Sequence, residues 1–236
     1  MTSAIIVAAG KGTRMGPSVD KIFLEVAGQP LVVHTWRRFD SSRWIDEIIL
    51  VVRDGLQSSF QDLASTSRFT KPFQLVAGGP ERQDSVWNGL LAVSPQSEIV
   101  VIQDAARPCT TDRLIGATVE AARETGAAVA AQRVTDTIKE SSDGTVIRQT
   151  LDRTRLWAVQ TPQTFRVALI RRALAAAREK GLSLTDDTAA CEFIGAPVRL
   201  VQSQTPNPKA TSPADLPYLD LLLRSDPCNS IVGPPA

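Results

Sequence analysis

The chain has 236 residues, 43% of them hydrophobic, with 26 basic side chains against 25 acidic ones and a net charge of +1. A chain this long buries a sizeable core without disulfides or metals, and its near-neutral balance argues against nucleic-acid binding through a broad positive field. One histidine, His34, and three scattered cysteines, Cys109, Cys191 and Cys228, disfavour zinc centres, disulfide scaffolds and histidine-based hydrolases.

The N-terminal apolar run has no basic stretch before it, so it reads as a strand rather than a leader. No apolar run approaches the about 18–20 residues that span a bilayer. The expectation is a cytoplasmic protein with neither a membrane nor a nucleic-acid partner.

Residues 4–8 (AIIVA) read as the first buried strand, followed by a glycine-rich turn. Residues 30–39 read as a helix, with Pro30 suited to a first helical turn. Strands are then predicted at 48–52, 73–77 and 99–103, with helices at 55–64 and Arg82–Ala92 between them. These strands are β-branched and mostly unbroken in apolar character, as strands covered on both faces are. The alternation predicts an α/β fold: a Rossmann-like three-layer sandwich around a mostly parallel sheet.

A helix at 112–124 and a strand at 127–131 continue the rhythm. Residues 134–151 are polar and β-branched and carry the turn signal Asp143-Gly144, which predicts a protruding β-hairpin arm. Helices follow at 165–180, with Gly181 as a stop, at 187–193 and at 213–224, with a strand at 198–202. No repeat or linker divides the chain. Residues 1–225 are therefore expected to form a single domain with its arm at 134–151, and the Pro-, Gly- and Ser-rich 226–236 a flexible tail.

The first strand runs into Ala9-Gly10-Lys11-Gly12-Thr13-Arg14-Met15-Gly16. Glycines at the end of such a strand let backbone N–H groups face phosphate oxygens, and ligands of open α/β sheets bind at the carboxyl ends of strands. The spacing fits neither G-x-x-x-x-G-K-[ST] nor G-x-G-x-x-G. Lys11, Arg14 and Lys21 lie within eleven residues, which suits a triphosphate; an ordinary basic turn is the alternative.

Residues 8–15 (A-A-G-x-G-x-R-M) with Lys21 resemble the nucleotidyltransferase signature. Further segments resemble the cytidylyltransferases of that superfamily: 78–86 (GGPERQDSV), 104–108 (DAARP), 136–139 (DTIK), Asp152-Arg153 with Thr161-Pro162-Gln163, Thr185-Asp186-Asp187, and 207–211 (NPKAT). In this order and spacing they resemble the 2-C-methyl-D-erythritol 4-phosphate cytidylyltransferase family over residues 5–216.

The resemblance implies a Mg2+-dependent enzyme that moves CMP from CTP to 2-C-methyl-D-erythritol 4-phosphate. Its products would be 4-diphosphocytidyl-2-C-methyl-D-erythritol and pyrophosphate, in the non-mevalonate route to isoprenoid precursors. It implies Arg14 and Lys21 as catalytic cations that stabilise charge building on the α-phosphate. Ala8, Ala9, Gly10, Gly12, Thr13, Gly79, Pro80, Ser85, Asp104 and Ala105 would bind CTP, with Asp104 also on the metal. Arg107, Thr137, Arg153, Thr161 and Lys209 would bind the acceptor. A homodimer is implied, in which the arm carries Thr137 and Arg153 into the partner's site. Alternatives are the same chemistry on another polyol phosphate such as ribitol 5-phosphate, a non-catalytic nucleotide-binding protein, and a dinucleotide-dependent oxidoreductase.

The chain departs from the family pattern at four places. Asp20 and Ile22 flank Lys21 where proline and glutamine are usual, and Asp20 is expected to pair with Lys21. Pro80 replaces a frequent aspartate, and Pro208 a frequent aliphatic residue. His34 is expected to be structural, and Cys109, next to the 104–108 segment, to be within reach of thiol reagents.

Overall fold

The computed structural model describes residues 1–10, 12 and 20–226. Strand β1 (Thr2–Val7) leads to a two-residue hairpin, β2 (Glu25–Val26) and β3 (Gln29–Pro30), whose turn places Ala27 and Gly28 at φ 49° and 79°. Helix α1 (Leu31–Asp40) follows directly, so Pro30 ends β3 and precedes the helix rather than opening its first turn. Then come β4 (Glu47–Val52), α2 (Gln57–Ser67), β5 (Phe73–Ala77), α3 (Arg82–Ala92), β6 (Ile99–Asp104), α4 (Asp112–Thr125) and β7 (Ala127–Arg133). The chain ends its described course with β8 (Lys139–Glu140), β9 (Gln149–Thr150), β10 (Trp157–Arg166), α5 (Val167–Glu179), α6 (Thr188–Phe193), β11 (Arg199–Gln202) and α7 (Leu216–Arg224).

Seven strands form one sheet in the order β11-β7-β10-β6-β1-β4-β5. All neighbours are parallel except β10, which runs antiparallel to both β6 and β7. Alternation along β1 divides the core between the two faces. Ala4 and Ile6 pack with Val32, Trp36, Phe60 and Ile115 from α1, α2 and α4. Ile5 packs with Val86, Leu90, Ile170 and Leu174 from α3 and α5. The expected three-layer sandwich is what these residues build. Among the described residues no helix is long and apolar enough to cross a membrane.

The strand β10 has no counterpart in the sequence reading, which began a helix at 165. Its central residues are polar yet buried: Thr161, Gln163 and Thr164. They are tolerated because each is hydrogen-bonded. Gln163 donates to Asp186 at 2.9 Å and accepts from the Asp187 amide at 3.0 Å, and Thr164 meets the Thr118 hydroxyl at 2.9 Å. The helix starts two residues later than expected, at Val167.

The arm is present as the β8–β9 ladder, pairing Lys139 with Thr150 and Glu140 with Gln149. Its tip is tied by Asp143, whose Oδ1 accepts from the Ser141 hydroxyl and the amides of Thr145 and Val146 at 3.0, 2.8 and 2.9 Å. His34 is buried, with Nε2 2.7 Å from the Val26 carbonyl oxygen, in keeping with a structural role. The tail beyond Asp226 lies outside the described residues.

From β1 the chain builds outward through β4 to β5, then returns to place β6 on the other side of β1. That reversal opens a crevice at the carboxyl ends of β1 and β6, where Val7 pairs with Asp104.

Candidate active site

The carboxyl ends of β1, β4, β5 and β6 surround a cavity of about 560 Å³. Nine predicted site residues line it: Ala8, Ala9, Gly10, Lys21, Gly79, Pro80, Ser85, Asp104 and Ala105, joined by Lys209 from the acceptor set. Gly12 sits at φ +61°, and a Cβ there would stand 3.0 Å from Cγ of Lys21. Lys11, Thr13 and Arg14 lie outside the described residues.

The turn between β5 and α3 is shaped by close approach. A Cβ on Gly78 would lie 2.4 Å from Cβ of Ala9, and one on Gly79 2.3 Å from Cβ of Asp84; neither distance is tolerable, so only glycine serves. The Ser85 hydroxyl accepts from the Gly79 amide and donates to the Glu81 carbonyl, both at 3.1 Å. Glu81 and Asp84 form a capping box at the start of α3. Ser85 thus holds the turn in shape, and its hydroxyl is already engaged.

Asp104, at the end of β6, is the electrostatic centre. Lys209 donates to its Oδ2 at 2.7 Å, Arg82 to its Oδ1 at 3.3 Å, and Nε of Arg107 lies 3.7 Å from Oδ2. Burial opposes its charge, but these three cations outweigh it and hold the carboxyl well below the usual carboxylate range. Arg82 also grips Asp187 through two hydrogen bonds of 3.0 and 2.9 Å.

Beyond this cluster lies a second cavity of about 310 Å³. Arg82, Asp104 and Lys209 border both spaces and form their shared wall. Arg107, Gln160, Thr161, Gln163 and Asp186 complete much of the second. The β10–β7 register breaks between Val159 and Gln163, and that irregularity delivers Gln160 and Thr161 to the site. The Thr161 hydroxyl accepts from the Asp104 amide at 3.1 Å, so it braces the strand end that carries Asp104. Asn207 ties the Lys209 segment down: it donates to the Thr161 carbonyl at 2.8 Å, and its own carbonyl accepts from Arg107 at 2.7 Å. Thr137 and Arg153 border neither cavity. Both are exposed, and Arg153 donates to the Thr135 carbonyl at 2.6 Å. One chain therefore brings Arg107, Thr161 and Lys209 together and leaves Thr137 and Arg153 on the arm side.

The family model for IspD, 2-C-methyl-D-erythritol 4-phosphate cytidylyltransferase, matches residues 2–225. The chain belongs to this family. A relative of that name from Geobacillus kaustophilus is 44% identical over 222 residues, covering 94% of this chain and 96% of the relative. The solved 4-diphosphocytidyl-2C-methyl-D-erythritol synthase from Anaerococcus prevotii superposes with a TM-score of 0.84 at 31% identity, covering 94% and 96% of the two chains. The 2-C-methyl-D-erythritol 4-phosphate cytidylyltransferase from Thermus thermophilus gives 0.77 at 32%, covering 93% and 98%. The family membership read from the motifs is borne out.

Within the IspD framework, several residues that line or brace the two cavities escaped the sequence reading. Arg82, Asp187 and Asn207 lie inside the quoted segments but carried no assigned role; their signal was the motif itself. Arg53, which lines the larger cavity just past the end of β4, had no signal at all. Two expectations need correction. Asp20 pairs with Arg53 at 2.5 Å instead of serving Lys21, whose Nζ donates to the Ala210 carbonyl at 3.3 Å. Cys109 is buried among Val26, Leu31 and Leu219, and burial pushes its thiol up to about 11, so it is poorly placed to react.

Among the described residues no three His, Cys, Asp or Glu side chains gather as a metal site. The single carboxylate of Asp104 in the shared wall fits an ion that takes most of its ligands from phosphates and water, as Mg2+ does.

Proposed function

We propose that the protein transfers the cytidylyl group of CTP to the phosphate of 2-C-methyl-D-erythritol 4-phosphate in isoprenoid precursor synthesis. The supporting observation is the shared wall of Arg82, Asp104 and Lys209 between two cavities at the carboxyl ends of β1 and β6, in a chain of this family. CTP occupies the larger cavity, its base against the Gly79–Pro80 turn. The acceptor phosphate occupies the smaller one, against Arg107 and Lys209, whose charges suit a phosphomonoester dianion.

An oxygen of the acceptor phosphate attacks the α-phosphorus of CTP in line. The new P–O bond forms as the bond to the β-phosphate breaks, and its electron pair leaves with pyrophosphate. The nucleophile is already anionic at neutral pH, so no histidine base is needed. Lys21 and Arg14 stabilise the charge that develops on the α-phosphate and the leaving group. Asp104, with the phosphates, would hold Mg2+, whose charge offsets repulsion between the two anions. Positioning by Lys209 and Arg107 contributes the rest.

We read residues 1–225 as one catalytic unit, in the cytoplasm, acting as a homodimer. Thr137 and Arg153 then complete the acceptor site of the partner, which accounts for a polar arm whose residues border neither cavity of their own chain. The solution mass should be that of a dimer; a monomeric mass overturns this part.

The activity is tested by incubating the purified protein with CTP, Mg2+ and the acceptor and measuring pyrophosphate, with ribitol 5-phosphate, ATP, GTP and UTP as comparison arms. Release with CTP and 2-C-methyl-D-erythritol 4-phosphate alone is expected. CTP binding without release would make the protein a non-catalytic binder, and faster release with ribitol 5-phosphate would reassign the acceptor.

A further inference from the structure

Lys21 opens a short 3-10 turn, Lys21–Phe23, at the edge of the nucleotide cavity. Two features secure this turn from below. Ile22 is buried in the core with Ala8, Val32, Val52 and Phe60, and the Phe23 ring meets the Phe60 ring edge-on at 5.5 Å. From the other side, the Asp20 carboxylate is held by Arg53 at 2.5 Å. Arg53 directly follows the last residue of β4, so the sheet holds its backbone, and it also borders the cavity.

Asp20 stands where the resembled pattern carries proline. A proline ring fixes φ; an aspartate leaves it free, and here φ is −86°. Some other constraint must set the entry angle of Lys21. At Asp20 itself the described residues offer two: the Phe23 amide bonded to its carbonyl at 3.0 Å, and the ion pair to Arg53, 33 positions away. The first is local to the turn. The second refers the turn to the sheet, as the buried Ile22 side chain also does, and of these ties it is the one that begins at the residue leading into Lys21 and ends at the rim of the cavity.

We propose that Arg53 is a positioning residue for CMP transfer: through its ion pair with Asp20 it holds the turn that aims Lys21 into the nucleotide cavity. The proposal rests on the reading of Lys21 as a catalytic cation. An exposed or half-exposed ion pair contributes little to stability, and here the side chains keep 35% and 23% exposure. The consequence of breaking it should therefore appear in turnover and not in folding.

The test uses Arg53→Gln, Asp20→Asn, the double variant and Arg53→Lys, each assayed for pyrophosphate release and thermal unfolding. Arg53→Gln and Asp20→Asn should each lower kcat about 10–100-fold, since small misplacements of a catalytic group cost rates of that order. The KM for CTP should stay near the wild-type value, the mark of an interaction made in the transition state. The melting midpoint should move by less than about 4 °C. The double variant should be no worse than the poorer single one, and Arg53→Lys should recover most of the rate.

Wild-type turnover in Arg53→Gln overturns the proposal. So does a raised KM for CTP with kcat retained, which would make Arg53 a nucleotide ligand, or additive losses in the double variant. A large melting shift in every variant also overturns it, because the pair would then serve stability. A wild-type protein that releases no pyrophosphate overturns the underlying reading, and the proposal with it.

Discussion

Arg82 and Asp187 meet through two parallel hydrogen bonds of 3.0 and 2.9 Å across 105 positions of sequence. The same guanidinium reaches Asp104 at 3.3 Å. One arginine therefore links the β5–α3 turn at the head of α3 to the end of β6 and to the segment before α6. Burial works against the Arg82 charge, but Asp187 and Asp104 outweigh it and keep the guanidinium protonated.

Arg82→Met should destabilise the protein by about 2–4 kcal/mol. Breaking a buried pair costs about 3–5 kcal/mol because the abandoned charge stays buried, and the 30% exposure of Arg82 discounts that range. Denaturant unfolding measures it. Arg82→Met/Asp187→Leu should recover part of the loss; a double variant less stable than the single one would contradict this account.

Acid should reveal Asp104. Its folded carboxyl is held below the ordinary value, so its contribution to stability is fully present above the unfolded pKa near ~3.9 and is lost as pH falls through the lower folded value. The difference in unfolding free energy between wild type and Asp104→Asn should be flat from about pH 5 to 7 and shrink below about 4. A difference that already shrinks between pH 7 and 5 would remove the three cations as its cause.

Cys109 and Cys191 should resist alkylation in the native state at pH 8. Burial pushes their thiols up to about 11 and about 12, and the thiolate is the reactive form. The raised values favour the fold below the ordinary thiol pKa of about 8.5, and that contribution is lost as pH rises toward the folded values. Peptide mass analysis after iodoacetamide, with and without urea, checks this. Native labelling as fast as in urea would contradict the buried placement.

Gly79→Ala should weaken CTP binding and lower stability by about 1–3 kcal/mol, the usual cost of forcing an atom into packed space. The Cβ would collide with Asp84 and pull the Gly79 amide from Ser85. Calorimetric titration with CTP alongside denaturation separates the two effects. Unchanged affinity would mean that the turn does not hold the nucleotide.

Much of the architecture is legible in the chain because local patterns carry it. The apolar runs that became β1, β4 and β6 could satisfy themselves only inside a sheet covered on both faces, and the glycines at 78 and 79 mark a turn that no side chain fits. β10 was not legible. Its buried stretch is Thr161-Pro162-Gln163-Thr164, polar enough to read as a loop; the ladders to β6 and β7 make it a strand, and bonds to Asp186, Asp187 and Thr118 satisfy its buried side chains.

The site divides in the same way. Local pattern was enough for the fold class, the family, and most residues that line the larger cavity, since those sit in short segments whose spacing is local. Which charges neutralise which was settled by folding alone. Asp20 went to Arg53 and not to its neighbour Lys21; Asp104 collected cations from α3, from its own loop and from the 207–211 segment; Thr137 and Arg153 stayed apart from the cavities that Lys209 borders. Charge pairing depends on distance and burial in three dimensions, and neither can be read from local spacing along the chain.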